Sequence, residues 1–503
     1  MDMNKECFIT LDIGTTSVKI ALIDRNGTIV STSTREYVLE TPTENIVELN
    51  PEIYWNCCVG GMREVLINSG VQRHLILSVS VSSQGETLIC LDVKGKPVTN
   101  AIVWLDNSSK NEAEELKDKF GIERVTGLVD VLPTWTITKI LWLKKNKPQV
   151  FSLISKFLLV EDYILYRLSG EFAGEHSLYS TTYMYNVIDR CYWTDILNYV
   201  GVKRDQLVDV YESGVVIGKV KSVVCKETGL AEKTNVTTGI MDQTAGMIGA
   251  GNIKEGIVTE TTGSALVICE TLDQFPSQKP TSSSVQCHAV PGKYLVTGWC
   301  AAGGMSLKWL RDTFFKEEKM VAERNGDNIF RIMDTMAERV SPGSQGLLFY
   351  PFMSGPGTLN IDPDIRGVYY GLELHHDKTH FIRSMIESIA YILRENIELM
   401  GAFGGECREI RAMGGGSKST IWNQIKADVT GKRIVTMHSP ETASIGVAIL
   451  QAVAAGIYGD ISSAVSHMVK TSDVYEPNRQ ENNIYQDFYR KYLVIQNKCF
   501  SKL

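Results

Sequence analysis

Apolar residues fall in short continuous blocks at the start of the chain, and helical spacing takes over later. Cys7–Ile13 and Ser17–Asp24 read as buried strands, and Asn26-Gly27 is a hairpin turn signal before a third strand at Ile29–Thr34. After Asn50-Pro51, the apolar positions Ile53, Cys57, Met62, Val65 and Leu66 predict a helix over Pro51–Asn68. Ile76–Ser82 is a further buried strand, and Thr87–Asp92 with Pro97–Val103 flank a Lys94-Gly95 turn as a hairpin. Helices are expected over Asn111–Phe120, Thr138–Lys145 and Val150–Leu168, whereas Ser177–Asn186 and Val215–Val220 read as extended or irregular.

The opening pattern returns halfway along. Ile257–Thr261, a turn at Gly263 and a strand over Ala265–Glu270 repeat the plan of Ile9–Ile20: a strand, a tight turn of Gly and small hydroxyl residues, then a second strand. A duplicated α/β domain, its two turns facing each other across a cleft, accounts for the repeat; so does chance likeness between two short hairpins. Helices then dominate, at Gly304–Phe315, His380–Met400, Ile421–Thr430 and Ala443–Gly456, and the tail after Val474 reads as a polar terminal helix. The restart sets a boundary near Gly251–Lys254 and predicts domains over residues 1–251 and 252–503.

Composition narrows the class. Of 503 residues, 44% are hydrophobic and 22% charged, as in an ordinary globular protein, and a net charge of −7 gives no footprint for nucleic acid. The eleven cysteines are scattered without a CxxC pair, so buried reduced thiols are expected rather than a zinc site. Met1–Glu6 is too polar for a signal peptide, and Ile445–Tyr458 is too short for a bilayer span, so a cytoplasmic protein without membrane contact is expected.

Four elements carry candidate chemistry. Asp12-Ile13-Gly14-Thr15-Thr16 puts a carboxylate at a strand end before Gly and two hydroxyls, a set that suits a phosphate and its metal ion. Asp12 would hold Mg²⁺ through water, and Lys19 would neutralise further charge. An ordinary hairpin with small turn residues explains the same letters. Thr261-Thr262-Gly263-Ser264 repeats this turn, so two turns would grip a polyphosphate. Met413-Gly414-Gly415-Gly416-Ser417-Lys418-Ser419 lies between an extended segment and a helix, where exposed backbone attracts anions and flat ligands; it matches neither GxxxxGK[ST] nor GxGxxG. Asp242, in Gly239-Ile240-Met241-Asp242-Gln243 ahead of the small-residue helix Thr244–Gly251, reads as a general base or as a helix N-cap. His376 and His380 lie four apart with no third ligand in view, and a solvated turn is the expectation there.

In this order and spacing the four elements resemble the FGGY carbohydrate kinases, from about Phe8 to Tyr458. The resemblance implies an α/β fold of two duplicated RNase H-like domains of the actin-like ATPase group with an interdomain cleft, the first binding sugar and the second nucleotide. Gly14, Thr15 and Thr16 are similar to the family's first phosphate loop and Thr262-Gly263 to its second. Gly304, ahead of Trp309-Leu310-Arg311-Asp312, is similar to a nucleotide contact, and Gly415, Gly416 and Ser417 to the adenosine loop. ATP and Mg²⁺ are implied, with Asp242 as catalytic base and Gln84, Glu86, Trp104, Asp106, Trp135 and Gln243 lining the sugar pocket.

The chain also departs from the family. Gln84-Gly85-Glu86-Thr87 stands where xylulokinases commonly carry Gln-Met-His-Gly and glycerol kinases Gln-Arg-Glu-Thr. Gly85 in place of that arginine argues against glycerol and opens room for a longer polyol or ketose. Ser108 stands where the family often has Arg. The expected reaction is ATP-dependent phosphorylation of a primary hydroxyl, on a ketopentose such as xylulose. Glycerol, gluconate, a deoxyketose or an autoinducer-like polyol stay open as substrates, as does a homodimer. An actin- or Hsp70-like ATPase switch and a non-catalytic sugar sensor are the readings from other classes.

Overall fold

The computed structural model describes residues 6–278, 283–359, 361–362 and 364–500. Most of the N-terminal stretch read as too polar for a signal peptide lies outside them. The chain forms two units, and neither is one continuous stretch. Unit 1 holds the residues up to Ile253 together with Val285–Tyr294 and Glu441–Val469; unit 2 holds Lys254–Ser284, Leu295–Pro440 and the residues from Lys470 on.

Unit 1 is built on β1 (Cys7–Ile13), β2 (Ser17–Asp24), β3 (Ile29–Glu36), β4 (Ile76–Ser83), β5 (Val216–Lys219), β6 (Asn235–Thr237) and β7 (Ile240–Met241). They lie in the order β5-β6-β4-β1-β2-β3, with β7 also paired to β4. The meander β1–β3 is antiparallel, β4 runs parallel to β1, β6 parallel to β4, and β5 antiparallel to β6. Nearly every residue of β1 is buried, which is why it reads as an apolar run rather than an alternation. The helix Pro51–Ser69 packs on β2 and β3. It starts where the Asn50 side chain accepts from the Glu52 N–H at 3.0 Å, and it ends at Gly70 with φ 63°.

The helix Thr442–Ala454 belongs to this unit although it comes late in the sequence. It packs on β1 and β4 and crosses the helix Asp242–Gly249 so closely that a Cβ at Gly446 would lie 2.0 Å from the Ala245 carbonyl. Gln451 Nε2 donates to the Ile9 carbonyl at 3.2 Å and to Ser78 Oγ at 3.0 Å, and Ile445, Ile449 and Leu450 share a core with Phe8, Ile23 and Ile248.

Unit 2 repeats the plan. Its strands are β8 (Ile257–Thr262), β9 (Leu266–Leu272), β10 (Tyr294–Cys300), β11 (Glu409–Met413), β12 (Arg433–Met437) and β13 (Thr471–Tyr475), in the order β10-β9-β8-β11-β12-β13. The hairpin β8–β9 is antiparallel, β11 is parallel to β8, β12 parallel to β11, and β13 antiparallel to β12. The spatial order and these directions match unit 1, although the outer antiparallel strand β5 precedes β6 in the chain while β13 follows β12. The repeated turn therefore marks a duplicated fold rather than two similar hairpins. This is the two-domain mixed α/β architecture expected of an actin-like ATPase.

Two local expectations need correction. Val150–Leu168 is not one helix: Pro148–Phe151 and Val160–Ser169 are helical, and Lys156–Leu158 between them is a strand paired to Ile89–Leu91. The predicted hairpin at 87–103 forms: Leu88 bridges Ile102 and Leu91 bridges Pro97, both antiparallel, about the Lys94-Gly95 turn, where the Gly95 N–H meets the Asp92 carbonyl at 3.0 Å. Ile89–Leu91 pairs with Lys156–Leu158 as well, and Ala101–Ile102 with Ile46–Leu49. Ser177–Asn186 begins inside a short helix, His176–Tyr179. The terminal helix Arg479–Phe500 is polar in composition yet buries Tyr485, Tyr489 and Tyr492 in unit 2. Among the described residues, which include all eleven cysteines, no disulfide forms, and seven of the cysteines are buried. Among the described residues no helix is long and apolar enough to cross a membrane.

Candidate active site

The sites start from strand register. Asp12 lies opposite Ser82 and Met241 opposite Ser83, so Asp12, Gln84 and Asp242 emerge at the C-terminal ends of the neighbouring parallel strands β1, β4 and β7. That edge is where ligands bind in open α/β sheets.

The polar groups there are mostly acceptors. Ser82 Oγ donates to Asp12 Oδ1 at 2.8 Å, which leaves Oδ2 open, and the Gln243 N–H donates to Asp242 Oδ1 at 2.5 Å. Gln84 is buried with its Nε2 on the Tyr54 hydroxyl at 3.1 Å, while its Oε1 has no partner. Glu86 adopts φ 61°, a strained conformation for a residue with a Cβ, and Thr136 Oγ1 donates to its carbonyl at 3.2 Å. Burial, with Asp12 nearby, pushes the Asp242 carboxyl up to about 7. Burial raises Asp12 as well, against the Ser82 hydroxyl and the Lys19 cation. Glu86 is pushed up to about 7 by burial, and Lys139 beneath it is pushed down to about 8, again by burial, with Glu86 and Asp106 opposing the shift.

The turn Gly14–Ser17 closes over this edge. The Gly14 N–H donates to the Ser17 carbonyl at 3.0 Å, and its own carbonyl accepts from the Tyr37 hydroxyl. A Cβ at Gly14 would meet nothing closer than 3.5 Å, so folding does not require glycine here; the room it leaves suits a ligand. Trp104 Nε1 donates to Thr15 Oγ1 at 3.1 Å, Thr16 is exposed, and Lys19 Nζ lies 2.6 Å from Glu441. Asp106 is buried with both oxygens engaged, Oδ2 by the Val47 N–H at 2.8 Å and Oδ1 by Ser108. Ser108 thus serves this carboxylate. Trp135 is half-buried, its Nε1 on the Asp130 carbonyl at 2.9 Å, and Gln243 is half-buried beside Asp242.

The strand bearing Asp242 is braced from behind. Glu161 Oε1 accepts the Gly239 N–H at 3.0 Å, and Ser177 Oγ accepts the Met241 N–H at 3.1 Å while donating to Glu175 at 2.8 Å. A Cβ at Gly239 would lie 1.9 Å from the Val81 carbonyl.

Unit 2 has its own site at the equivalent edge, where Thr261 of β8 faces Met413 of β11. A cavity of about 410 Å³ opens there, lined by Thr262, Gly263, Ser264, Gly304, Gly415, Gly416 and Trp422, with Lys308, Phe330, Asp334 and Ser419 at its walls. Its size suits a small-molecule or cofactor pocket. The Thr262 hydroxyl is committed: it donates to Glu260 Oε2 at 2.6 Å and accepts from Lys426 Nζ at 3.0 Å. The Gly263 N–H goes to the Ala265 carbonyl at 3.0 Å, so exposed Ser264 carries the free hydroxyl of this turn. Gly304 and Gly416 are there for packing, since a Cβ would come within 2.5 Å of the Gly263 carbonyl and 2.6 Å of the Thr262 Cβ; at Gly263 and Gly415 a Cβ meets nothing within 3.5 Å. Ser417 folds away from the cavity with its hydroxyl on the Gly414 carbonyl at 2.8 Å. Asp334 is pushed up to about 6 by burial against a bond from Ser419.

Sequence reasoning missed Lys308 and Asp334 as cavity residues, and it held Ser264 and Ser419 only as members of the two turn motifs. The repeated turn already contained Ser264, as the counterpart of Thr15, but Asp334 lies on the helix Ile329–Ala337, which carries no motif. Among the described residues no group of three or more His, Cys, Asp or Glu is arranged to cage a metal, His376 and His380 included. A cation here would arrive with phosphate oxygens and meet Asp12, whose open oxygen and like-charged neighbour Asp242 suit it.

Residues 7–249 match the model of the FGGY family of carbohydrate kinases, N-terminal domain, and residues 258–455 that of its C-terminal domain. The chain is 29% identical over 493 residues to a xylulose kinase of Staphylococcus epidermidis, covering 98% of this chain and 97% of that one. A gluconokinase of Bacillus subtilis is 29% identical over 472 residues, covering 93% and 91%. The structure of a ligand-bound xylulose kinase from Lactobacillus acidophilus superposes with a TM-score of 0.89 at 26% identity, over 98% of both chains.

Proposed function

The chain belongs to the FGGY family of carbohydrate kinases, and we propose that it transfers the terminal phosphate of ATP to a primary hydroxyl of a neutral ketose, with a ketopentose such as xylulose first. The observation that carries this choice is the acceptor-rich edge of unit 1: Asp12, Glu86, Asp242 and the unpartnered Oε1 of Gln84. A substrate rich in hydroxyl donors satisfies those groups. An aldonate would bring a carboxylate into a set of carboxylates, and Lys139, the cation beneath, is fully buried with its Nζ on the Thr134 carbonyl.

In this reading residues 1–251 bind sugar and 252–503 bind nucleotide. Asp242 takes the proton of the attacking hydroxyl, and a carboxyl raised to about 7 is matched to that task near neutral pH. Gln84 and Glu86 orient the sugar, with Trp104, Trp135 and Gln243 at its sides and Asp106 holding the loop to Val47 in place. Gly14, Thr15 and Thr16 offer backbone and hydroxyl groups to phosphate, as do Gly263 and Ser264, and Gly415 lies against the nucleoside. Mg²⁺, bound through water by Asp12, would neutralise charge developing on the transferred phosphoryl group.

The test is a steady-state panel of xylulose, ribulose, glycerol, gluconate and erythritol with ATP. A ketopentose should give the highest kcat/KM, with gluconate at least about tenfold lower, as expected when a buried charge is left unpaired. Gluconate in first place would overturn the choice of a neutral substrate.

A further inference from the structure

Unit 2 contains a charged pair that the transfer reaction does not use. Lys426 and Glu260 are both fully buried, and Nζ lies 2.6 Å from Glu260 Oε1. A pair taken wholly out of water gains little net stability, because the loss of hydration offsets the attraction; replacement by well-packed apolar residues is often neutral. What such a pair can supply is a fixed geometry.

Its contacts say which geometry. Lys426 Nζ donates to Thr262 Oγ1 at 3.0 Å, and that hydroxyl in turn donates to Glu260 Oε2 at 2.6 Å, so the three groups close a ring. Thr262 is the last residue of β8, from which the turn Gly263–Ala265 departs. It is also the residue against which the glycine turn after β11 rests: a Cβ at Gly414 would lie 2.8 Å from the Thr262 carbonyl, and one at Gly416 2.6 Å from its Cβ. The Lys426 ammonium sits 5.0 Å over the Trp422 ring, and Trp422 is a wall of the cavity. One buried cation therefore touches the strand end, the wall and, through Thr262, the glycine turn.

We propose that the Lys426–Glu260 pair, acting through the Thr262 hydroxyl, is a positioning device that holds the Gly263–Ala265 turn and the Gly414–Gly416 turn at one spacing, so that a nucleoside polyphosphate meets both at once. The inference rests on the reading of unit 2 as the nucleotide site. Fixed donors bind an anion without first being ordered, and the benefit appears in nucleotide affinity rather than in sugar affinity. Lys426 and Glu260 themselves make no contact with the ligand.

Two variants test this, Thr262→Val and the charge-neutral double variant Glu260→Gln/Lys426→Met. Thr262→Val keeps the shape and the ion pair but removes the hydroxyl that links them to the turn. ADP affinity is read by calorimetry without sugar, and KM for ATP and for sugar by kinetics. The expected result is a loss of about fivefold or more in ADP affinity and ATP KM for Thr262→Val, larger for the double variant, with sugar KM within about twofold. A general loosening of the fold would move both KM values together. Wild-type ADP affinity in folded Thr262→Val overturns the proposal, even if the double variant fails to fold. If the wild-type protein binds ADP but phosphorylates none of the sugars, the kinase reading falls while the positioning role stands or falls on calorimetry alone.

Discussion

The hairpin turn occurs twice on matching sheets, and the two copies differ in how charge is handled. In unit 1 the strand end carries Asp12, with Asp242 and Glu86 near it, and all three carboxyls are pushed upward by burial. In unit 2 the strand end also carries a buried acid, Glu260, but Lys426 neutralises it on the spot. The backbone is the same and the chemistry is not. A cluster of acids that outnumbers its cations attracts a further cation and can accept a proton; a neutralised one only shapes a pocket. Duplication supplied two frames, and side chains at the strand ends divided the work between them.

The contrast can be broken most severely at Asp242. Asp242→Asn should lower kcat by at least about 10²-fold, with ADP affinity kept, since a general base contributes about that much or more; steady-state kinetics with calorimetry reads both. In the wild-type enzyme kcat/KM should fall as pH drops through about 7, because protonation removes the acceptor.

A smaller effect sharpens the account of the acid cluster. Asp12→Asn removes a negative charge that raises Asp242, so the acid limb of the pH profile should move to lower pH, and the Mg²⁺ concentration needed for half-maximal rate should rise. A limb that stays in place would mean burial alone sets the Asp242 carboxyl. The mildest contrast lies in the glycines. Gly14→Ala meets no protein atom closer than 3.5 Å and should leave thermal stability nearly unchanged while raising ATP KM; Gly416→Ala drives a Cβ to 2.6 Å from Thr262 and should lower the melting temperature by several degrees.

Both hairpins were legible in the sequence because their strands are buried on both faces and their turns use Gly and small hydroxyls, signals confined to a dozen neighbouring residues. The family resemblance rested on the same short segments. What stayed hidden depends on pairing across distance. Lys156–Leu158 is as apolar as the helices flanking it, and only its partner Ile89–Leu91 makes it a strand. Lys426 and Glu260 are 166 positions apart, and a lysine on the helix Thr420–Thr430 gives no sign of a buried partner. The sequence marks Asp106 only as a sugar-pocket candidate, and gives no sign that its two oxygens also hold Val47 and Ser108. Polarity in a sequence does not reveal which face of a side chain is already taken.

The helix Thr442–Ala454 supplies a wall of the core beneath β1 and β4, and it is made after most of unit 2. During synthesis on the ribosome the N-terminal region therefore emerges with its apolar underside bare, and it waits there until the chain is almost finished. A fragment ending at Ile253 would carry that bare surface permanently, which makes it a natural substrate for chaperones and proteases rather than a working half of the enzyme.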